Sequence, residues 1–331
     1  VTPIFTPYLE IPALPDYELQ IVRLGVDEDA HWQLPDDAIA QLEDPDVKVL
    51  FVVNPSNPPS VKMSSHVLES IAELVRTKRS DLMVLTDDVY GTFADGFVSL
   101  AAMVPANTLL VYSFSKYFGA TGWRLGAIGL AHENIYDDKL AALGDADKAM
   151  LEDRYSSLTN DVPGLRFIDR LVADSRAVAL NHTSGLSLPQ QLQMALFALF
   201  ALVDAHDEYK NATKTLIRRR YERLMGSIGV DIEPDENAVE YYTLLDLQRL
   251  GEHFHGKEFG DWVLKNKHDI DFLFDIAREC GVVMLPGNGF DDTHPSARVS
   301  LANLAEWQYE VIGRMTRQII DELHGKYADG K

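Results

Sequence analysis

Short runs of β-branched and apolar residues alternate with stretches of helical periodicity through the first two hundred residues, and few architectures can absorb that alternation. Residues 47–53 read as a buried strand. Val67, Leu68, Ile71, Leu74 and Val75 then recur at the spacing of one helical face, and residues 82–86 read as the next strand. Two strands joined through a helix in this way lie parallel, because only a long crossover returns the chain to the same sheet edge. Further strands are expected at 108–112 and 125–130. The fold class is therefore α/β with a mainly parallel sheet, and in such sheets ligands collect beyond the strand ends.

The pattern changes after the fourth strand. From about 133 to 176 it is helical and rich in acids, including Asp137, Asp138, Asp145, Asp147, Glu152 and Asp153, which reads as a solvated helical face. A long helix is expected from about 204 to 225, carrying the run Arg218-Arg219-Arg220 and leading into a second unit. Strands near 241–245, 282–285 and 297–301 follow, with a last helix over 305–323. The expected division is a large domain over residues 1–205, with a helical insertion at about 133–176, and a smaller α+β domain over 206–331. At 331 residues and 46% hydrophobic, the chain can bury a core in each.

Charge narrows the functional classes. With 51 acidic against 30 basic residues, the formal charge of −21 argues against a nucleic-acid or anionic-membrane surface, so an anionic ligand must be held by a few placed cations. Cys280 is the only cysteine, which excludes internal disulfides and cysteine-cluster metal sites and fits a reducing, cytoplasmic compartment. No stretch of about 18 apolar residues marks a membrane span.

Four polar clusters fall at expected strand ends. Asn54-Pro55-Ser56-Asn57-Pro58-Pro59 follows the first strand, Asp87-Asp88-Val89-Tyr90 the second, and Ser113-Phe114-Ser115-Lys116 the third; Ala297-Arg298-Val299-Ser300-Leu301 lies in the C-terminal part. Arg124 stands eight positions after Lys116. Taken singly, each residue has an ordinary reading: Asp87 as a turn or cap residue, Lys116 as a surface lysine, Asn54 and Asn57 as strand terminators beside proline, and Arg298 as the partner of a surface acid. Their joint order and spacing are what those readings leave unexplained. Asp88 is expected to be structural or solvent-facing.

Together these residues resemble the pyridoxal-phosphate (PLP) dependent aminotransferases of fold type I. The stretch Ser-Phe-Ser-Lys-Tyr-Phe-Gly-Ala-Thr-Gly-Trp-Arg-Leu-Gly carries the most specific part of the match, and the resemblance runs from Phe5 to the last helix. It implies that Lys116 carries the cofactor and, once freed by substrate, moves the proton between the substrate carbon and the cofactor. Asp87 would pair with the pyridine nitrogen, Tyr90 and Asn57 would hydrogen-bond the phenolic oxygen, and Ser113 and Arg124 would hold the phosphate. Arg298 would clamp an amino acid's α-carboxylate, with Asn57 beside it, and Phe5 would stack on the cofactor. No metal is implied. The narrower resemblance, through Thr-Pro-Tyr-Leu-Glu-Ile-Pro, Asn-Pro-Ser-Asn-Pro-Pro-Ser and Ala-Arg-Val-Ser-Leu-Ala-Asn-Leu, is to the aspartate 4-decarboxylases, which also have aspartate aminotransferase activity. It implies conversion of L-aspartate to L-alanine and carbon dioxide, a 2-oxo acid as a second substrate, and a homo-oligomer built from dimers.

The same residues admit other readings. A plain class I/II aminotransferase acting on aspartate or a similar amino acid is the first alternative, and a non-catalytic PLP-sensing regulatory module the remote one. Ser113 and Lys116 also satisfy the Ser-x-x-Lys pattern of serine acyl-transfer enzymes, but its Ser-Asp-Asn and Lys-Thr-Gly partners are missing from the sequence. His253 and His255 have no third ligand at metal-binding spacing. Gly287-Asn288-Gly289-Phe290 lacks the third glycine of a dinucleotide fingerprint and reads as a turn. The chain starts at Val1 within a Thr-Pro-Ile-Phe-Thr-Pro-Tyr phrase, so the expectation is that the family's glycine-containing phosphate loop and the elements around it precede it. A fragment of that kind is expected to expose sheet edges, bind PLP weakly and aggregate.

Overall fold

The computed structural model describes residues 1–12, 14, 19–178 and 186–330. After short helices α1 (Pro7–Glu10) and α2 (Asp36–Ala40), the chain enters β1 (Val49–Val53), crosses through α3 (Ser65–Thr77), and returns as β2 (Met83–Asp87). A second crossover, containing the single turn α4 (Leu100–Met103), leads to β3 (Thr108–Ser113). β1, β2 and β3 pair in parallel, with Val53 opposite Asp87 and Asp87 opposite Val111. The alignment brings Asn54, Asp87 and Ser113 to one edge of the sheet.

β4 (Gly126–Leu130) joins the outer edge of β3 in the antiparallel sense, Ser113 opposite Gly126, so the four-stranded sheet is mixed rather than wholly parallel. The link from β3 to β4 is only twelve residues, and its turns fold back without a crossover helix.

α3 forms because its apolar positions share one face and its first turn is capped: the Ser64 side chain accepts from the Val67 amide at 3.3 Å. Val67, Leu68, Ile71, Leu74 and Val75 bury that face against Leu50, Val52, Leu82 and Val84 of the sheet side. Each such side chain contributes about 1.5–3 kcal/mol of transfer free energy. Arg79, itself buried, donates to the carbonyls of Leu42 and Val47 and pairs with Asp81, fastening the segment that feeds β1.

The acidic stretch after β4 forms three helices: α5 (Ile135–Ala141), α6 (Asp145–Tyr155) and α7 (Phe167–Val178). α8 (Leu188–Val203), a helix the sequence reading does not anticipate, precedes α9 (Glu208–Ile228), which starts and ends within a few residues of expectation.

The C-terminal part holds β5 (Tyr242–Asp246), α10 (Leu247–His255), α11 (Lys257–Asn266), α12 (Asp269–Cys280), β6 (Leu285–Pro286), β7 (Ser296–Ser300) and α13 (Glu306–Asp329). Its sheet has the antiparallel order β5-β7-β6. The strand expected at 282–285 is reduced to the two residues of β6, and the glycine turn after it is a 3-10 turn. α9 and α13 cross at Gly313, where a Cβ would come within 2.5 Å of the Leu224 carbonyl oxygen.

Backbone bonds sew the two sheets together. The Val239 amide donates to the Ser60 carbonyl at 2.8 Å, and the Tyr241 amide donates to the Ser60 hydroxyl at 2.8 Å. The loop after β1 is therefore fixed against the entry to β5. The Ile4 amide donates to the Phe290 carbonyl at 2.8 Å, which pins the first residues over the turn between β6 and β7.

Candidate active site

The four strand-end clusters lie at the junction of the two sheets. Asp87 ends β2, is buried, and holds its carboxylate through the Tyr8 hydroxyl, which donates at 2.9 Å, and the Val89 amide, at 3.1 Å. Burial raises its pKa above the usual carboxylate range, while those two donors and the positive charge of Lys116 pull it back. Its neighbour Asp88 faces the interior, where it accepts from the Thr86 hydroxyl at 2.5 Å; its role is structural and it does not face solvent.

Lys116 sits in a self-bonded turn after β3. The Ser115 amide donates to the Ser113 hydroxyl at 3.2 Å, the Thr121 hydroxyl to the Ser115 carbonyl at 3.0 Å, and the Gly119 amide to the Lys116 carbonyl at 3.2 Å. Tyr117 anchors the turn in the aromatic core, and its carbonyl accepts from the Tyr209 hydroxyl of α9 at 3.0 Å. This rigid frame leaves the lysine half-buried, with Nζ donating to the Tyr242 hydroxyl at 3.1 Å.

Tyr242 lies on β5 opposite Ser300, which makes Arg298 of β7 its diagonal neighbour on the same face. The Arg298 guanidinium carbon stands 4.1 Å from the centre of the Tyr242 ring and 4.6 Å from that of Phe290. Nη1 donates to Asn57 Oδ1 at 2.9 Å, whereas the buried Nε has no partner among the described residues. Burial pushes the arginine's pKa down. The Tyr90 hydroxyl donates to that of Tyr242 at 3.2 Å, and burial holds its own pKa well above the ordinary phenol value. Asn57, Tyr90, Lys116 and Arg298 are thus drawn into one network, with Tyr242 at its centre.

The remaining three expected residues are held by other partners. Ser113 donates from its hydroxyl to Ser115 Oγ at 2.9 Å and to the Leu125 carbonyl at 3.3 Å. Arg124 is exposed, in the left-handed region at φ 55°, with Nη1 donating to the Thr121 carbonyl at 2.9 Å. Phe5 is 41% exposed and leans on Phe290 and Tyr8, both at 6.1 Å between ring centres. Sequence reasoning did not single out Tyr8 or Tyr242. The adjacent pair Tyr241-Tyr242 opening a strand was the available signal, since alternation sends at least one hydroxyl inward to find a partner.

A negatively charged cofactor bearing a ring nitrogen can be tested against these charges. In a chain with 51 acids, Lys116, Arg124 and Arg298 have no ion-pair partner among the described residues, and Asp87 likewise has no cation in ion-pair contact. Cations left unpaired on so acidic a protein suit an anionic ligand, and a buried carboxylate suits a protonated ring nitrogen. The residues fit pyridoxal phosphate. They do not form a metal site, since no group of three or more His, Cys, Asp or Glu lies together among the described residues.

Known proteins resemble this chain in sequence and fold. The family described as Aminotransferase class I and II matches residues 2–312. The bifunctional aspartate aminotransferase and L-aspartate beta-decarboxylase of Pseudomonas sp is 54% identical over 325 residues, covering 98% of this chain; the chain spans 61% of that relative's length. The putative aminotransferase YugH of Bacillus subtilis is 39% identical over 83 residues, covering 24% of this chain and 21% of its own. Among solved structures, a PLP-dependent aminotransferase from Streptococcus suis aligns with a TM-score of 0.67 at 17% identity, covering 97% of this chain and 69% of that one. A mutant aspartate aminotransferase of Thermus thermophilus aligns with a TM-score of 0.66 at 19% identity, covering 96% and 72%.

Proposed function

The chain belongs to the class I and II aminotransferases and has their PLP-dependent fold type I architecture, and from that premise we propose that it carries out β-decarboxylation of L-aspartate to L-alanine and carbon dioxide, with aspartate aminotransferase activity alongside. The observation that carries this reading is the 54% identity, over almost the whole chain, to a bifunctional enzyme of that description.

Bound PLP supplies an electron-withdrawing ring that stabilises negative charge at the carbons of an attached amino acid. The protein's own side chains do the rest. Asp87 Oδ keeps the ring nitrogen protonated, and the Tyr8 hydroxyl fixes that carboxylate in place. Lys116 Nζ is the point of covalent attachment and, when free, the base that takes the α-proton. Tyr90 and Asn57 would offer hydrogen bonds to the phenolic oxygen, and Ser113 and Arg124 would hold the phosphate. Arg298 presents a flat fork to the α-carboxylate, and its place between the Tyr242 and Phe290 rings fixes the plane of that fork. Phe5 is the proposed stacking residue. Loss of the β-carboxylate as carbon dioxide would leave its electron pair on the β-carbon, which takes up one proton from solvent while Lys116 returns the α-proton, so that L-aspartate and one proton give L-alanine and carbon dioxide.

The same reading includes a 2-oxo acid as second substrate, a cytoplasmic location and a homo-oligomer built from dimers. The exposed apolar stripe of α8, with Leu188, Leu192, Leu196 and Leu199 all at least 50% exposed, supports association, because monomeric surfaces rarely carry so continuous a patch. The division at residues 1–205 and 206–331 is supported by the two separate sheets.

The test is product analysis on the full-length protein supplied with PLP and aspartate, with and without 2-oxoglutarate, beside Lys116→Ala. Alanine and carbon dioxide formed without added oxo acid, and abolished in the variant, are the expected result. Glutamate formed only with 2-oxoglutarate would replace the decarboxylase reading with a plain aminotransferase, and no turnover at all would overturn both.

A further inference from the structure

We propose that Tyr242 is a positioning residue for the catalytic lysine, its hydroxyl holding the free amine of Lys116 and its ring holding the carboxylate-binding Arg298. The inference rests on the function proposed above and adds a residue to it.

The hydroxyl oxygen of Tyr242 accepts two hydrogen bonds, from Lys116 Nζ at 3.1 Å and from the Tyr90 hydroxyl at 3.2 Å. Tyr242 is 4% exposed, so neither donor competes with bulk water for it. The Lys116 amine makes no other hydrogen bond or ion pair among the described residues. A lysine side chain has four rotatable bonds, and without that acceptor its freed amine would spread over many positions. With it, the amine has one resting place, from which it can reach a substrate carbon with little reorganisation.

The ring has a separate task. The guanidinium of Arg298 lies over it at 4.1 Å, the geometry of a cation held on an aromatic face. The two tasks sit on different atoms of one side chain, so they can be removed separately. The charged and titratable groups facing the amine are Tyr242, Tyr90 and Asp87, with Arg298 behind the Tyr242 ring. The acceptor holds the amine in place, and the competing Tyr90 donor on the same oxygen weakens that hold.

The first measurement needs no catalysis: the rate of Lys116 methylation by formaldehyde and cyanoborohydride at one fixed pH in the cofactor-free full-length protein, mapped by peptide mass spectrometry. Tyr242→Phe, which releases the amine, should raise that rate about threefold, and Tyr90→Phe, which frees the acceptor for the lysine alone, should lower it. Opposite signs are what a merely structural role would not produce, and the second variant keeps the test open should the first not fold. In turnover of aspartate, Tyr242→Phe should lower kcat about tenfold at unchanged KM, and Tyr242→Leu should raise KM about tenfold as well. Unchanged methylation rates, or changes of the same sign in both variants, overturn the proposal. If aspartate is not turned over by the unaltered protein, the function proposed above fails while the methylation rates still decide the role of Tyr242.

Discussion

At the scale of single residues, the site is defined by charges left without partners. Arg298 is the clearest case: its guanidinium stands over two rings and meets an asparagine but no acid. A lysine in its place would keep the charge and lose both the planar stacking and the bidentate geometry. Arg298→Lys should therefore raise the KM for aspartate by about 10- to 100-fold, the worth of one charge-assisted bond or more, with an unchanged far-ultraviolet dichroism spectrum. Tyr8 acts one step back. Tyr8→Phe removes the hydroxyl that donates to Asp87, and burial then raises the carboxyl further; PLP affinity measured by absorbance titration should fall about fivefold.

Elements position these residues by packing. α3 holds the parallel strands in register through Ile71, which is fully buried, so Ile71→Ala should cost about 2–5 kcal/mol in urea unfolding and loosen the edge that carries Asn54, Asp87 and Ser113. α9 and α13 approach as closely as backbones can at Gly313, where a methyl group would meet the Leu224 carbonyl and Ser227 Cβ at 2.5 and 2.7 Å. Gly313→Ala should destabilise the C-terminal part by about 1–3 kcal/mol, read as a lower urea midpoint, because neither backbone can yield without moving its helix. Element types were legible wherever periodicity was strong, as in α3 and β1 to β3. The strand expected at 282–285 was not: Val282, Val283 and Met284 have strand-like residues but lead into a turn whose pairing with β7 begins only at Leu285.

In the molecule as a whole, charged networks tie distant segments of the chain. Arg249 on α10 meets Glu28 and Asp29 near the chain's start, while Asp246, next to it, meets His294 at 2.6 Å. Asp246 raises the His294 pKa above its ordinary 6.5, first through that hydrogen bond. A raised histidine contributes stability that is fully present below pH 6.5 and is lost as pH rises through its folded value. His294→Ala should accordingly lower the urea midpoint at pH 6 and converge on the unaltered protein at pH 9, the effect being modest because the side chain is one-third exposed. The sequence alone determined the α/β class and the strand-end clusters, because periodicity and short-range spacing are local properties of a chain, and the family resemblance those clusters carry singled out Asp87, Lys116 and Arg298. Only the tertiary structure decided that Tyr8 meets Asp87 across 79 positions, that Tyr242 meets Lys116 across 126, and that Arg298 meets Asn57 across 241. Those meetings depend on strand register and on the bonds that join the two sheets, which no local pattern encodes.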